Sequence, residues 1–497
     1  MKPLLLELVE RKHEVTVLRS SNSRSVEETS HHFTIETVHI PAGKTLTEGE
    51  IRDLIFNSVD TEDSFLSSIS AVWGLFTLFS KTNAVTIPAI KAMFEDPALL
   101  GRLKGADFDL VLADAYNARG VMLAHFLDLP IVVFGKWMIT GDLHFTIAPS
   151  PLSYIPVLNS RLTDRMVFLD RLKNVFIYGL SDFMSNFYIY PAYNKLCQLY
   201  LKSDITIKEL YQKADIFLMK VDFTFEFPRP TMPNVVYIGC FKCSPGKPLS
   251  PDLQQFMDSS GEDGVVIFSL GSVVGFLPPA LAIEVAAGLA QLPQKVIWRY
   301  VGEVPSTLGN NTKIMNWLPQ TDLLSHPKTK VFITHGGENG IYEAIYHGVP
   351  MVGIPVFGDQ YDNLLRLKAR GVVVMLDLAH LKREILFQAV KTVTENPSYR
   401  ENVKHLSALQ RDVPLNPKEL AVFWIEYTIR HRGAAHLRAV GSELPFFQYY
   451  LLDVIVFIIA SVCVLLKSVI VLFTCTTFLS FMLSANFEIM PCMPKSR

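Results

Sequence analysis

The densest group of side chains able to do chemistry lies between Asn316 and Asn363. Within it, the apolar run KVFIT ends before His335, the pair Gly336-Gly337 follows, and Asn339 opens a stretch with helical spacing. A strand, a glycine turn and a helix start bring unpaired backbone N–H groups and the positive end of a helix dipole to one place. Since His335 and Asn339 add side-chain donors there, the pattern predicts a binding site for phosphate.

Residues on both sides of this turn match the other parts of a nucleotide sugar. Glu343, one turn into the helix from Asn339, can accept from two neighbouring hydroxyls such as those of a ribose, and Trp317 offers a flat face to a base. The run VPMVGIPVF ends near Asp359-Gln360, an acid and an amide suited to sugar hydroxyls. Taken singly, each has an ordinary structural explanation, because such turns are common, tryptophans fill cores and helical glutamates face solvent. Their order and spacing together favour a nucleotide-sugar site.

The elements around these residues alternate between short apolar runs and amphipathic helices. Runs such as FDLVLADA, GVVIFSLGS and KVFIT are typical of buried parallel strands, and PALAIEVAAGLAQL and NGIYEAIYHG of helices. The alternation predicts an α/β fold with doubly wound parallel sheets, whose ligands bind beyond the carboxyl ends of the strands. Asp114 stands at such a strand end, where it can serve an active site or cap the next helix.

Chain length and a proline-rich break predict two globular domains. The chain has 497 residues, more than one ordinary core holds, and prolines and glycines cluster in the stretch EFPRPTMPNVVYIGCFKCSPGKP. We expect an N-terminal domain over residues 1–240 and a C-terminal domain over residues 241–430. A net charge of −2 gives no sign of the basic surface that nucleic acid needs. The lone pair Cys240 and Cys243 lacks the further ligands of a zinc site, so a structural or incidental role is favoured.

A long apolar stretch near the C-terminus predicts a membrane anchor. Residues 446–483 are interrupted only by Asp453 and Lys467, and about 20 apolar residues suffice to cross a bilayer. One tilted or bent helix is favoured over two re-entrant pieces split at Lys467 and over a buried soluble helix. Residues 431–445 would then form a juxtamembrane segment and residues 484–497 a short tail. The N-terminus shows no apolar core of the signal-peptide type.

Several further stretches extend the pattern beyond the nucleotide-sugar residues. LTDRM begins at Leu162, EFPRP at Glu226 and FSLGS at Phe268, and the anchor follows the second domain. With them, nearly the whole chain resembles the UDP-glycosyltransferase family, membrane-bound enzymes that include the UDP-glucuronosyltransferases. The resemblance implies a GT-B fold with two Rossmann-like domains and a C-terminal transmembrane helix. The acceptor would bind mainly in the first domain and the UDP-sugar mainly in the second.

The resemblance also implies roles for residues of the nucleotide-sugar site. Trp317 would stack on uracil with Gln320 beside it bonding the base through its backbone, and Glu343 would hold the ribose hydroxyls. The remaining residues would bind the diphosphate (Ser272, His335, Gly337 and Asn339) and the transferred sugar (Asp359 and Gln360). The family needs no metal and no cofactor, because a helix dipole with histidine and serine donors can stabilise the departing UDP.

On the acceptor side, the resemblance implies a histidine base on the first strand-to-helix turn, charge-balanced by an aspartate that matches Asp114. Met1 corresponds to a methionine that follows this histidine by a few residues. We therefore expect the histidine, the first strand and a signal peptide to lie upstream of Met1. The early histidines of this chain are not obvious substitutes, and His144 is expected to line the acceptor pocket.

These features predict inverting transfer of a sugar from a UDP-sugar to a hydroxyl or acid group of a small lipophilic acceptor. Gln360 favours a glucuronosyl or glucosyl donor, because galactose-using relatives have a histidine there, and glucuronic acid is the preferred expectation. The alternative is a truncated, non-catalytic isoform that binds UDP-sugar and pairs with full-length relatives. The resemblance implies a single-pass protein of the endoplasmic reticulum membrane with a lumenal body in contact with membrane lipid. It leaves homo- or hetero-oligomers open.

Overall fold

The computed structural model describes residues 1–23, 29–40, 65–272 and 275–487. The chain forms two compact units, Met1–Arg438 and Ala439–Arg497. All described strands belong to the first unit.

The strands are, in chain order, β1 (Thr16–Ser20), β2 (Thr34–Val38), β3 (Val111–Asp114), β4 (Ile131–Phe134), β5 (Trp137–Met138), β6 (Gly141–Asp142), β7 (Ile216–Met219), β8 (Val235–Tyr237), β9 (Val265–Ser269), β10 (Lys295–Arg299), β11 (Thr312–Met315), β12 (Thr329–Thr334), β13 (Met351–Gly353) and β14 (Val373–Met375). The helices of the first unit are α1 (Lys2–Glu10), α2 (Phe65–Phe94), α3 (Pro97–Gly105), α4 (Ala118–Leu127), α5 (His144–Ile147), α6 (Phe168–Met184), α7 (Tyr190–Leu201), α8 (Ile207–Gln212), α9 (Pro251–Asp258), α10 (Pro279–Ala290), α11 (Gln320–Ser325), α12 (Glu338–Tyr346), α13 (Gln360–Ala369), α14 (Arg383–Glu395), α15 (Pro397–Arg411) and α16 (Pro417–Arg430).

Two parallel sheets organise the first unit. The first sheet has the order β3-β4-β7-β8, with β1 and β2 forming a separate parallel pair. The second sheet has the order β11-β10-β9-β12-β13-β14, and all its neighbours are parallel. Strand order reverses beside β9, between β10 and β12, and an open α/β sheet binds its ligands at such a switch point.

Each central strand is buried on both faces, which explains its unbroken apolar sequence. In β4, Ile131 and Val133 belong to one apolar cluster while Val132 and Phe134 belong to the cluster on the other face. The same alternation divides β9 between the two faces of the second sheet. Because side chains alternate across a strand, helices must cover both faces, as the predicted doubly wound fold requires.

Helix α16 packs against the first sheet although it follows the second domain in sequence. Its Ala421, Val422 and Ile425 share an apolar cluster with Leu4 and Leu8 of α1 and with β4 and β7. The range expected for the second domain, 241–430, therefore ends in a helix that covers the sheet of the first domain. The segment after it continues this packing, since the backbone N–H of buried Ala434 donates to Asp215 at 2.9 Å.

Buried ionic contacts join the two sheets. Lys136, which follows β4, and Arg366 on α13 both pair with the carboxylate of Glu226, the Arg366 Nε to Glu226 Oε2 distance being 3.0 Å. Nearby, Asp362 on α13 accepts the backbone N–H groups of Asn159 at 2.6 Å and Arg161 at 3.0 Å. Since α13 belongs to the second sheet's layer, these contacts fix it against loops of the first domain. In the linker, Cys240 and Cys243 form a disulfide.

The second unit is dominated by one long apolar helix. A short helix, α17 (Phe446–Tyr449), carries three aromatic residues and precedes α18 (Leu452–Phe487). Between them the chain passes through Leu451 at a φ of 55°. The 33 residues Leu452–Ser484 have a mean hydropathy of 2.9 and are long and apolar enough to cross a membrane. The helix runs unbroken through Lys467, which contradicts the alternative of two re-entrant pieces. The last ten residues of the predicted tail lie outside the described residues.

Candidate active site

The predicted phosphate turn lies between β12 and α12. Gly337 precedes the helix without a side-chain cap, and the backbone N–H of Ile341 donates to the Gly337 carbonyl at 3.1 Å. By helix geometry, the N–H groups of residues 338–340 have no acceptor within the helix. They point, with the positive end of the helix dipole, towards the end of β12. Asn339 is exposed there and Gly337 is half-buried, as an anion site needs.

Two glycines allow the ring of His335 to lie in this turn. A Cβ atom on Gly337 would lie 2.5 Å from His335 Nε2, and one on Gly271, whose φ is +82°, would lie 2.6 Å from the ring. Burial, and then the charge of Arg299, lower the pKa of His335 to about 4. The imidazole is therefore neutral at pH 7 and can donate one hydrogen bond. Its Nδ1 is inaccessible and has no partner among the described residues.

Arg299, at the carboxyl end of β10, is a site residue that the sequence reasoning missed. Its guanidinium donates to the backbone carbonyl of Gly271 and, at 3.4 Å, to that of Ser272. The same group lies 5.6 Å from the centre of the Trp317 ring. Arg299 thus links the loop after β9, where Ser272 is exposed, to the predicted base-binding surface. An arginine at the end of an apolar strand gives no sequence signal of these contacts, because they depend on strand order.

The predicted base and ribose residues lie together. Trp317 is 67% exposed, so its ring is available for stacking. Gln320 Nε2 donates to Glu343 Oε2 at 2.5 Å, and Thr321 Oγ1 donates to Glu343 Oε1 at 2.9 Å. Gln320 and Thr321, which follow Trp317 closely in the chain, therefore hold the Glu343 carboxylate in one orientation. The side chain of Gln320 has this positioning contact in addition to the predicted backbone role.

The predicted sugar residues lie at the start of α13. Asp359 Oδ2 accepts from Asn363 Nδ2 at 2.8 Å, and the same amide donates to the Gly336 carbonyl at 3.0 Å. Buried Asn363, which the sequence reasoning did not single out, thereby ties the sugar residues to the phosphate turn. The side-chain carbonyl of Gln360 accepts the backbone N–H groups of Val356 at 2.8 Å and Phe357 at 3.1 Å. Gln360 therefore shapes the loop after β13, and its amide nitrogen is the group left for a sugar.

Asp114 lies apart from these residues, on the first sheet. It is exposed at the end of β3, and its Oδ1 accepts the Tyr116 N–H at 2.9 Å, as a helix-capping carboxylate would. The Met1 amino group lies near it: burial, and then the charges of Lys242 and Lys220, lower the pKa of that amine, and Asp114 raises it. Lys220, after β7, also acts on Glu338 of α12. The carboxyl ends of the first sheet's strands thus face the start of α12, although no direct contact joins Asp114 to the nucleotide-sugar residues in the described part of the chain.

A cavity of about 100 Å³ lies in the first domain. Its apolar wall is contributed mainly by α2 and α6 and consists of Val72, Leu75, Phe76, Phe79, Phe145, Val157, Tyr178, Met184 and Ile189. Its polar groups include Asp182, Lys208 and the Thr140–Tyr190 hydroxyl pair, 2.9 Å apart. A π-helical turn, Ser185–Ile189, forms one side, and such turns are frequent at functional sites. The cavity has the mostly apolar lining with a few polar groups that is typical of small-molecule sites.

The side chain of His144 does not line this cavity, and its place in the acceptor pocket stays a prediction. Its ring is buried, and its Nε2 is hydrogen-bonded to the Tyr237 hydroxyl at 2.8 Å. Burial and the charge of Arg229 lower the pKa of His144 to about 4. Its sequence neighbours Asp142, Phe145 and Thr146 reach the cavity instead. The reason is that the short helix α5 turns the histidine into the core.

Comparisons with known proteins agree with this geometry. A family model described as "UDP-glucoronosyl and UDP-glucosyl transferase" matches residues 1–487. UDP-glucuronosyltransferase 2C1 of Oryctolagus cuniculus is 42% identical over 472 residues, covering 94% of this chain and 93% of the relative. UDP-glucuronosyltransferase 2A2 of Homo sapiens is 40% identical over 483 residues, covering 96% and 90%.

Solved structures confirm the GT-B fold. The calicheamicin glycosyltransferase CalG4 matches with a TM-score of 0.54 at 18% identity, covering 86% of this chain and 94% of that one. The spinosyn forosaminyltransferase SpnP matches with a TM-score of 0.55 at 17% identity, with the same coverage. Together with the assembled phosphate turn, these similarities show that the chain belongs to the family of UDP-glucuronosyl and UDP-glucosyl transferases.

Proposed function

We propose that this glycosyltransferase transfers glucuronic acid from UDP-glucuronic acid to a hydroxyl or acid group of a small lipophilic acceptor, with inversion at the anomeric carbon. The start of α12, with neutral His335 beside it, lies opposite the first domain, and the first domain holds the cavity. This arrangement is the observation that carries the proposal. The acceptor oxygen attacks the anomeric carbon, the bond from that carbon to the diphosphate breaks, and a base takes the acceptor proton. Asp114 is the proposed charge partner of that base.

The chain's own donors support departure of UDP. The free N–H groups at the start of α12 and the single N–H of neutral His335 can bond to the diphosphate as negative charge develops on it. Trp317 would stack on uracil, and Glu343, fixed by Gln320 and Thr321, would accept from the ribose hydroxyls. Ser272, Gly337 and Asn339 complete the proposed diphosphate site. This arrangement needs no metal ion.

An unpaired ammonium group favours an acidic sugar over a neutral one. Lys220 lies on the first-domain side of the start of α12 and forms no ion pair with any residue that the structure describes. Lys136, which also faces α12, is neutralised by Glu226. A uronate carboxylate would pair with Lys220, while Asp359 and Gln360 would hold the sugar hydroxyls.

We place the protein in the endoplasmic reticulum membrane with its body in the lumen. The Cys240–Cys243 disulfide supports an oxidising compartment, and α18 supports a single membrane span in contact with lipid. Under the binding-only alternative, the chain would pair with full-length relatives.

The test compares sugar transfer to a simple phenol from UDP-glucuronic acid and from UDP-glucose. We expect product from UDP-glucuronic acid, and we expect Asp359→Ala to lower kcat/KM roughly 10- to 150-fold, the equivalent of a hydrogen bond to a charged group. Asp377→Ala, at an exposed aspartate paired with His380 outside the site, is the matched control and should leave the rate unchanged. Faster transfer from UDP-glucose would refute the sugar assignment. UDP binding without transfer from either compound would instead favour the binding-only alternative.

A further inference from the structure

We propose that Asn310 carries an N-linked glycan. The inference rests on the lumenal location proposed above and adds a modification site to it. In this step the side-chain nitrogen of Asn310 attacks the anomeric carbon of an oligosaccharide that is carried on a polyisoprenoid pyrophosphate. The bond between that carbon and the nitrogen forms, the carbon–oxygen bond to the pyrophosphate breaks, and the nitrogen gives up one proton.

The sequence around Asn310 has the pattern that this modification requires. Asn310-Asn311-Thr312 is an asparagine followed, two residues later, by a hydroxyl side chain, and the middle residue is not proline. No other triplet in the sequence meets this condition. Asn396-Pro397-Ser398 differs from it in having proline in the middle position, which excludes glycosylation. The sequence therefore offers one acceptor and, in Asn396, an internal comparison.

The fold turns Asn310 outward and holds the next side chain inward. The side-chain amide of Asn311 donates to three backbone carbonyls at and beyond the end of α10, at 2.9, 3.0 and 3.1 Å. The backbone N–H of Thr312 donates to the carbonyl of Gly309 at 3.0 Å and closes a turn with Asn310 inside it. Asn310 is exposed, and its side chain has no hydrogen bond to any residue that the structure describes. A glycan on its nitrogen therefore breaks none of the contacts that hold the turn.

Asn310 and the predicted base-binding surface lie at opposite ends of β11. Asn310 precedes the amino end of this strand, whereas Trp317 follows its carboxyl end. An open α/β sheet binds its ligands beyond the carboxyl ends of the strands, so a glycan on Asn310 would stand away from the UDP-sugar although the two residues are close in sequence. β11 is also the outermost strand of the second sheet, which leaves room beside the turn for a bulky, hydrophilic group.

The experiment expresses the protein from its complete coding sequence in cultured human cells and isolates sealed microsomes. Protease added from outside reports whether the body is enclosed in the lumen. Peptide:N-glycanase removes N-linked glycans and leaves an aspartate at the glycosylated position, so gel mobility and mass spectrometry report the modification of Asn310. We expect a protected body with one glycan, and loss of that glycan in Asn310→Gln and in Thr312→Ala. Thr312→Ser keeps the hydroxyl group and should keep the glycan.

Asn396→Gln is the matched control, because Asn396 is exposed as well but precedes Pro397, and this variant should keep the glycan. Removal of the glycan from the folded protein in detergent should leave its affinity for UDP unchanged.

Three results would overturn the inference. The first is a protected body in which Asn310 is unmodified, and the second is a glycan that persists in Asn310→Gln. The third is a body that external protease digests, which would refute the proposed lumenal location and the inference with it. Weaker UDP binding after removal of the glycan would instead overturn the placement of Asn310 away from the nucleotide site.

Discussion

Glu226→Gln tests whether one buried carboxylate holds the two domains together. Glu226 is shared by Lys136 of the first domain and Arg366 of α13, and all three side chains are almost fully buried. Burial alone would raise the pKa of Glu226, but the charges of Arg366 and Lys136 hold it below its ordinary value. The group is therefore ionised at neutral pH. Glutamine has the same shape but no charge, so the substitution leaves two buried cations without their shared anion.

The expected loss of stability follows from this burial. Removing one partner of a buried ion pair costs about 3–5 kcal/mol, because the remaining charge is uncompensated in a medium of low polarity. The first unit comprises 438 residues, Met1–Arg438. At about 2.1 cal/mol/K per residue its unfolding entropy is roughly 0.9 kcal/mol/K. If the unit unfolds as a whole, Tm should fall by about 3–5 °C.

The assay is differential scanning calorimetry of the full-length protein in detergent at pH 7. Glu36→Gln is the matched control, because Glu36 makes a two-point ion pair with Arg102 at 2.9 and 3.0 Å but on the surface. Solvent screens that pair, so the control should shift Tm by less than about 1 °C. A shift in Glu226→Gln as small as in the control would refute the reasoning.

The pH dependence of this difference has a definite sign. A carboxylate whose pKa is lowered in the folded state stabilises the protein above its ordinary pKa of 4.5, and this contribution disappears as the pH falls through the lowered value. The Tm difference between Glu226→Gln and the unaltered protein should therefore be constant from about pH 6 to 8 and shrink in acid. A difference that grows in acid would contradict an ionised Glu226.

Two further predictions concern UDP binding. Trp317→Ala should weaken UDP binding roughly 5- to 150-fold, which is the value of one base–aromatic stacking contact. It should not lower Tm, because the ring is 67% exposed. A change in UDP affinity below twofold, measured by calorimetry, would contradict stacking. Gly337→Ala should weaken UDP binding by at least about tenfold, since its Cβ would lie 2.5 Å from His335 Nε2 and displace the ring. Gly101→Ala is the control, because a Cβ there meets nothing within 4 Å. Equal UDP affinity in the two glycine variants would show that the position of His335 does not matter.

The sequence by itself determined the fold class and which segments carry the predicted nucleotide-sugar residues. Strands buried on both faces have unbroken apolar runs, so segments such as VVIFS in β9 could be identified without a structure. The site residues from Trp317 to Gln360 lie close in the chain, on successive strand ends of one sheet, and parallel order brings such ends to one edge. The apolar length of α18 likewise predicted a possible span directly.

Only the tertiary structure decided which charged groups are buried and which meet. Arg299 reaches Trp317 because β10 lies beside β11, and Glu226 meets Lys136 and Arg366 because two domains pack around it. Helix α16 covers the first sheet, and the ring of His144 turns away from the cavity. Sequence spacing determines which residues share a strand or helix face, whereas burial and pKa depend on segments that are distant in the chain. For this reason Glu338 could be read from the sequence only as a helical acid, and its buried oxygen became visible only in the fold.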